Sequence, residues 1–339
     1  MTDPDPNPDS EFDPDILVAG EALVDFLPDS AGPLAEVETF SRRAGGAPAN
    51  VAVALAHLDA APWFWTRVGE DPFGDHLAET LREFGVPDRF VERDPAAKTA
   101  LAFVSHDEEA DRSFTFYRDG TADTRVEPGG VPDGLLDSVE WVSVGGVMLA
   151  AEPGRSATLD LAERAAERDC TVVFDPNARP ELWENADRDF SDLAAEMFAL
   201  ADVVKATPED LDAAGFDADS PEDLARRVTE AGPHTILLTL GGTGAFAFST
   251  EEAPWDAGAA SHSGYDVDPE DTTGAGDAFT AGALAALAGA VGDAGRTEEG
   301  EVSLSEVLGF ANAVAAVTTT AAGAMAALPT LEEVRAFRE

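Results

Sequence analysis

Residues 48–85, PANVAVALAHLDAAPWFWTRVGEDPFGDHLAETLREFG, decide the fold class of this chain. Pro48 stands near the start of a run of small and apolar residues that ends at Leu58, a place where a missing N–H does a helix no harm. Pro62–Gly69 is short, aromatic and apolar, and reads as a strand. Phe73–Phe84 carries a helical pattern, and Gly85 stands just past it, where a helix commonly ends in a glycine. The stretch is therefore helix, strand, helix, with no hairpin signal between.

Outward from it the rhythm continues. Upstream, Ile16–Gly20 (ILVAG) is a short buried-strand run. Downstream come WVSVGG, a helix over Arg155–Arg168, TVVFDPN, and the strand DVVKA. A helix over Asp223–Glu230, the strand TILLTLG, a hairpin-like AFAFST and two small-residue helices near Gly276–Ala290 and Ser303–Thr320 complete the series. Such alternation predicts an α/β fold with a mainly parallel sheet covered on both faces. Two stretches break it. Thr99–Asp107 and Arg112–Gly120 alternate like antiparallel strands joined by the acidic turn DEEA, and Val24–Phe40 is also strand-like and not helical. Together they predict a small sheet, from segments at about 23–42 and 97–122, standing off the main domain as a substrate flap, an edge sheet or a dimer contact. Residues 1–14 are acidic and proline-rich and read as a disordered tail, leaving 15–336 as one domain. Gly289–Gly300 reads as a surface loop, and there is no internal repeat.

Composition narrows the function classes. The 339 residues carry 67 carboxylates against 21 Lys and Arg, a net charge of −46, and only Lys98 and Lys205 are lysines. A charge excess spread over the whole chain predicts adaptation to a very salty cytoplasm, where ions screen the self-repulsion. The same sign disfavours nucleic acid as a partner. Cys170 is the one cysteine, so no internal disulfide or cysteine-rich metal site exists, and its apolar surroundings suggest a small core residue. No stretch is apolar for long enough to span a bilayer, and the N-terminus lacks the pattern of a secretory signal. The expectation is a cytoplasmic protein with no membrane partner.

Two glycine-rich turns carry the chemistry. Asp271–Phe279, DTTGAGDAF, leads into an alanine-rich helix. Gly274 and Gly276 let a ligand approach the backbone closely, and the amides of Ala275, Gly276 and Asp277 would be the unpaired donors of a helix start, an anion site. Asp277 in that turn could accept the proton of an attacking hydroxyl, or could only complement the helix dipole. In RAGGAPAN, Gly45 and Gly46 can bring amides to a polar ligand, and Asn50 offers both donor and acceptor; a turn needing glycine for its geometry alone is the simpler alternative. Neither a G-x-x-x-x-G-K-S/T loop nor a G-x-G-x-x-G turn after the first strand is present.

In this order, the two segments resemble the signatures of the ribokinase-like (PfkB) carbohydrate kinases, and the likeness runs from about Ile16 to Leu328. The resemblance implies a central parallel sheet flanked by helices with a β lid over the sugar. It implies transfer of the γ-phosphate of ATP to a sugar hydroxyl with Mg2+, Asp277 acting as base and Gly274, Ala275 and Gly276 as the anion hole. Asp25, in GEALVDF, matches the family's aspartate that binds sugar hydroxyls, and Gly45, Gly46 and Asn50 match its sugar-contacting turn. TLGGTGAF resembles the segment along the ATP phosphates and ribose, with Thr239 at its head and Gly241 and Gly244 allowing close approach. Asn312 matches a residue beside the adenine. Where many relatives have N-x-x-E near the metal, this chain has KATPE, so that Lys205 could approach phosphate and Glu209 could serve Mg2+ through water. Asp271 resembles the residue beside a monovalent-cation loop, implying K+ in some relatives.

Three features bear on the sugar. G-G-A-P-A-N, FDPNARPELW and ADVVKATPEDL look like fructokinase segments, while D-P-N-x-R, Asp175–Arg179, also occurs in 2-keto-3-deoxygluconate kinases. Arg179 could contact transferred phosphate or pair with a nearby carboxylate. Arg118, on the flap, would suit the carboxylate of a sugar acid if it faced the pocket, and would otherwise pair with a neighbouring Asp or Glu. The expected function is a fructokinase, with a ketodeoxygluconate kinase as alternative, a nucleoside kinase as a lesser one, and a non-catalytic sugar or nucleotide sensor as the rival of another class. A homodimer through the flap is a further expectation.

Overall fold

The computed structural model describes residues 14–30, 32–106, 112–184 and 186–339. The expected tail over 1–14 falls outside them but for its last residue, as does the DEEA turn.

A nine-stranded sheet forms the body of the described chain. Along the sequence its strands are β1 (Ile16–Ala19), β4 (Trp63–Gly69), β5 (Val91–Asp94), β8 (Trp141–Gly145), β9 (Thr171–Asp175), β10 (Val203–Ala206), β11 (Thr235–Thr239), β12 (Ala245–Ser249) and β13 (Gly258–His262). The smaller sheet is made by β2 (Leu23–Pro28), β3 (Phe40–Gly45), β6 (Leu101–His106) and β7 (Arg112–Tyr117). The helices are α1 (Ala47–His57), α2 (Pro72–Glu83), α3 (Asp133–Leu136), α4 (Gly154–Ala166), α5 (Pro180–Trp183) and α6 (Phe190–Phe198) in the first part of the chain. They continue with α7 (Pro208–Ala213), α8 (Pro221–Thr229), α9 (Ala275–Leu287), α10 (Leu304–Thr319) and α11 (Leu331–Arg338).

Across the main sheet the order is β13-β12-β11-β10-β9-β8-β1-β4-β5, parallel from β11 to β5, with β12 and β13 antiparallel at one edge. The central strands β1, β4, β8, β9, β10 and β11 are buried on both faces, as a parallel sheet between helical layers requires, while the edge strands β5 and β13 are partly exposed. Ile16, Val18 and Phe64 point into one core with α1, α9 and α10, whereas Leu17, Ala19, Trp63 and Trp65 point into the other with α4, α6 and α8. The small residues of α9 and α10 let those helices approach closely: a β-carbon on Gly282 would lie 3.0 Å from the α-carbon of Ala311. Cys170 is buried in the second core, as expected.

Strand order reverses beside β1. The chain steps one way through β8, β9, β10 and β11 and the other way through β1, β4 and β5. Loops leaving β1 and β8 therefore diverge, and a crevice opens beyond their carboxyl ends, where such sheets bind ligands.

The smaller sheet joins both flap stretches, in the order β3-β2-β6-β7. The joint between them is a parallel pair, β2 with β6, while its other pairs are antiparallel. Two expectations need correction here: β3 runs on to Gly45, past the expected boundary at 42, and Leu34–Glu36 forms one 3-10 turn within the stretch expected to be free of helix. Side chains alternate across this sheet as period two demands. Leu23, Asp25, Phe114 and Phe116 face a cavity below it. On the other face Phe103 stacks on Phe26 at 4.9 Å and meets Tyr117 edge-on at 5.4 Å. Where the chain leaves the body for β6, Asp71 fixes it: Oδ2 accepts from the Thr99 amide at 3.0 Å, and Oδ1 accepts from the Thr99 hydroxyl while capping α2.

Candidate active site

Between the inner face of the smaller sheet and the carboxyl ends of the main strands lies a cavity of about 440 Å3. The body contributes Glu21 after β1, Asn177, Ala178 and Arg179 after β9, Lys205 on β10 and Thr239 at the end of β11. The two glycine-rich turns contribute Gly46, Ala47 and Asn50 on one side and Thr272, Thr273, Gly274, Gly276 and Asp277 on the other. The lid closes the space with Leu23, Asp25, Phe114 and Phe116.

Asp277 stands in the first turn of α9, just past Gly274, whose φ of +80° places it in the left-handed region. Asn50, in the first turn of α1, donates its Nδ2 hydrogen to Asp277 Oδ2 at 2.7 Å. Two segments 227 residues apart thus meet through one charge-assisted hydrogen bond. Burial raises the Asp277 carboxyl to about 6, against the lowering by that bond and by Lys205. Asp25 is raised further, to about 7, by burial and then by the like charge of Asp277. The carboxylate of Asp25 lies directly over Gly45, where an added β-carbon would fall 2.0 Å from Oδ2. Gly45 is therefore a glycine because Asp25 occupies the space of its side chain; it is not among the residues that line the cavity.

The remaining glycines sort by what a side chain would meet. At Gly46, with φ +103°, a β-carbon would strike the Glu21 carbonyl at 2.5 Å, so close packing alone demands it. At Gly276 it would approach Lys205 Nζ at 3.5 Å, which puts the lysine beside the helix start. At Gly241, with φ +59°, an added β-carbon would meet nothing within 4 Å, so that this side of its backbone is open. Gly244 corrects the expectation of ligand approach: a β-carbon there would sit 2.0 Å from the His262 carbonyl, inside the β12–β13 packing. The expected anion hole is narrower by one donor, because the Ala275 amide bonds the Thr272 carbonyl at 3.3 Å. The amides of Gly276 and Asp277 remain in the turn where a helix supplies no acceptor.

Lys205 is 5% exposed and donates to Asp175 Oδ2 at 2.9 Å. Burial alone would lower its pKa, but Asp175 and Asp210 hold it above the ordinary lysine value, so it is a fixed cation at the cavity wall. Asp210 closes a capping box with Thr207 at the start of α7 and also accepts from the Ala178 amide at 2.8 Å, tying the Lys205 loop to the Arg179 loop. Glu209 lines the cavity beside them. Arg179 faces the cavity with its guanidinium 6.0 Å from the Phe114 ring centroid, bridging body and lid. Asp271 lies off the cavity wall and braces its loop, accepting from Thr273 and, at 3.1 Å, from the Gly323 amide. No group of three or more His, Cys, Asp or Glu able to hold a metal ion occurs among the described residues.

One more expectation is corrected, that for Arg118. Arg118 does not face the cavity: it is 7% exposed, pairs with Asp123 at 2.5 Å, and donates to the Val147 carbonyl and toward Met148. Asn312 is buried within α10, its Nδ2 donating to the Leu308 carbonyl at 2.8 Å, and it is not among the cavity-lining residues. Sequence reasoning missed Glu21, 2% exposed, whose carboxyl burial raises to about 7. Its signal was a carboxylate set directly after the buried run ILVAG, four residues ahead of Asp25. Phe114 and Phe116 were also unnamed, although the alternation of RSFTFY puts both on one face.

Comparison with known proteins agrees with this geometry. The family model described as "pfkB family carbohydrate kinase" matches residues 13–331. A probable chloroplastic fructokinase of Arabidopsis thaliana is 36% identical over 323 residues, covering 95% of this chain and 81% of that protein. Fructokinase of Xylella fastidiosa, solved with bound ATP, superposes with a TM-score of 0.80 at 32% identity, over 95% of this chain and 97% of that one. Fructokinase of Vibrio cholerae, solved with fructose, ADP and calcium ion, gives a TM-score of 0.81 at 32% identity, covering 96% and 99%.

Proposed function

The chain belongs to the pfkB family of carbohydrate kinases, phosphotransferases whose acceptor is a sugar hydroxyl, and we propose that its sugar is fructose. The observation that carries the reading is the Asn50–Asp277 hydrogen bond of 2.7 Å, which sets a carboxylate at a helix start facing a lidded cavity. In this reading Asp25 accepts from sugar hydroxyls under the lid, and Asn50 orients the Asp277 carboxylate. Asp277 takes the proton of the attacking hydroxyl as its oxygen bonds to the γ-phosphorus and the bond to the ADP oxygen breaks. The amides of Gly276 and Asp277, with Lys205, face the charge on the transferring group, already fixed in place and needing no reorganisation. Gly241 and Thr239 flank the nucleotide end.

Mg2+ fits the phosphate end. This ion keeps several waters and takes one or two carboxylates together with substrate phosphates, so no protein cage is needed. Glu209 is the cavity-facing carboxylate for that role, and the ion would neutralise phosphate charge. Asp271, by holding its loop against Gly323, would shape a K+ site behind the anion turn.

The choice of fructose over ketodeoxygluconate rests on Arg118. Its guanidinium is engaged with Asp123, which leaves a sugar-acid carboxylate without that partner. The acidic composition supports a salt-rich cytosol as the enzyme's setting, and the exposure of Tyr117 on the lid supports a reading in which two copies would pair there. A coupled ADP-release assay in molar KCl with Mg2+, across fructose, ketodeoxygluconate, ribose and adenosine, tests the assignment. The highest kcat/KM is expected with fructose; a preference for the sugar acid would overturn that choice. Sugar binding without ADP release would instead favour a sensor.

A further inference from the structure

Two spaces meet at Glu21. Behind the main cavity, at the strand-order reversal, lies a chamber of about 20 Å3, close to the room one water needs. Its polar lining is Glu21, Ser143, Asp175, Asn177 and Thr280, and Glu21, Ala47, Val147 and Asn177 line both spaces. The chamber is therefore the deep end of the main cavity, with Glu21 in the dividing wall.

Half of the Glu21 carboxyl is satisfied and half is not. Oε1 accepts from the Ala47 amide at 3.2 Å, while Oε2 is buried with no hydrogen-bond partner among the described residues. If the group is ionised, Oε2 is an acceptor without a donor. If it is neutral, the engaged Oε1 leaves the proton on Oε2, a donor without an acceptor. The nearby Arg118 and Asp123 already pair with each other. Asn50 Oδ1, lining the same cavity, is likewise unpartnered. Buried polar atoms of a native protein find partners, and two orphans in one cavity wall point to a ligand that completes them.

We propose that Glu21 is a sugar-positioning residue, its Oε2 completed by a hydroxyl at the deep end of the bound sugar through the water that the inner chamber accommodates. The inference rests on the reading of the main cavity as a sugar site. Steady-state kinetics of the wild type, Glu21→Gln and Glu21→Ala test it, using the sugar the wild type phosphorylates best and its single-deoxy analogues. Glutamine keeps an acceptor for Ala47 and a polar group toward the chamber, so its KM should stay within about threefold of wild type. Alanine should raise the sugar KM about tenfold, the worth of one hydrogen bond, with kcat little changed. One deoxy analogue should lose about tenfold in kcat/KM with the wild type and nothing further with the alanine variant, since both changes remove the same interaction. The inference falls if alanine leaves KM within twofold, or if every deoxy analogue is penalised equally in both enzymes. It also falls if glutamine and alanine alike lower kcat and Tm with KM unmoved, the mark of a purely structural role. A wild type that phosphorylates none of the sugars would overturn the sugar-site reading itself, a result distinct from these.

Discussion

Asp277 and Asp25 reach one cavity from opposite ends of the chain, and the charge of Asp277 makes Asp25 harder to ionise. Burial is the first cause for both, and the charge of Asp277 is the second for Asp25. With values of about 6 and about 7, both carboxyls lose their charge as pH falls below neutrality. A base must be deprotonated to accept a proton, so activity is present above these values and lost as pH falls through them. The wild-type kcat/KM should accordingly fall between pH 7 and pH 6; a profile flat from pH 5.5 to 8 would refute the assignment. Asp277→Asn should lower kcat by roughly 10²-fold or more, the magnitude of a lost general base, with the sugar KM nearly unchanged. In that variant the residual activity should keep its acidic limb, displaced to lower pH because Asp25 has lost its like-charged neighbour. Normal turnover by the variant would show that Asp277 is only a helix-start carboxylate.

At the scale of elements, the lid shows what local pattern can and cannot carry. The alternation in TALAFVSHD and RSFTFYRDG was enough to read two strands, because a sheet with one face over a cavity keeps period two. The parallel joint between β2 and β6 was not readable, since it depends on where α1, β4 and α2 carry the chain between them. Asp277 and Asn50 were legible for a local reason as well: each lies in the helix turn that follows a run of glycines. Glu21 was not, and the two readings of Arg118 could not be told apart, because both depend on which partner packing brings near; Asp123 rather than a substrate reaches Arg118. The lid's two faces make a differential prediction. Phe116 and Phe114 roof the cavity, and Phe114 also meets Arg179 of the body. Phe116→Ala should raise the sugar KM about tenfold and admit water, since a closed lid keeps the phosphoryl group from hydrolysis. The readout is ADP released against sugar phosphate formed, which should rise clearly above one to one. Tyr117→Ala, on the outer face and 62% exposed, should leave that ratio and the KM unchanged. Equal effects from both faces would mean that the lid acts through its stability and not as a roof.

For the molecule as a whole, charge is the dominant fact. With 67 carboxylates and 21 Lys and Arg, at least 46 carboxylates have no cation of their own however the surface pairs them. The structure spends several arginines at the body's surface on more than one carboxylate: Arg164 reaches Asp133 and Asp160, and Arg168 reaches Asp133 and Asp137. Such exposed pairs contribute little, typically under about 1 kcal/mol each, and leave the net repulsion in place. That repulsion acts against the compact state and is reduced only by mobile ions, whose screening length shrinks from about 10 Å at 0.1 M to about 3 Å at 1 M. The Tm should therefore climb by several degrees or more between 0.1 M and 2 M KCl, measured by near-UV circular dichroism or calorimetry on the full chain. NaCl should reproduce most of the rise, because screening depends on ionic strength and not on which cation supplies it. Activity with potassium over sodium at matched strength then separates a specific cation beside Asp271 from the general effect. A Tm that is flat or falls with salt would mean that the carboxylates are accommodated by the fold itself, and the salt-rich setting would lose its physical basis.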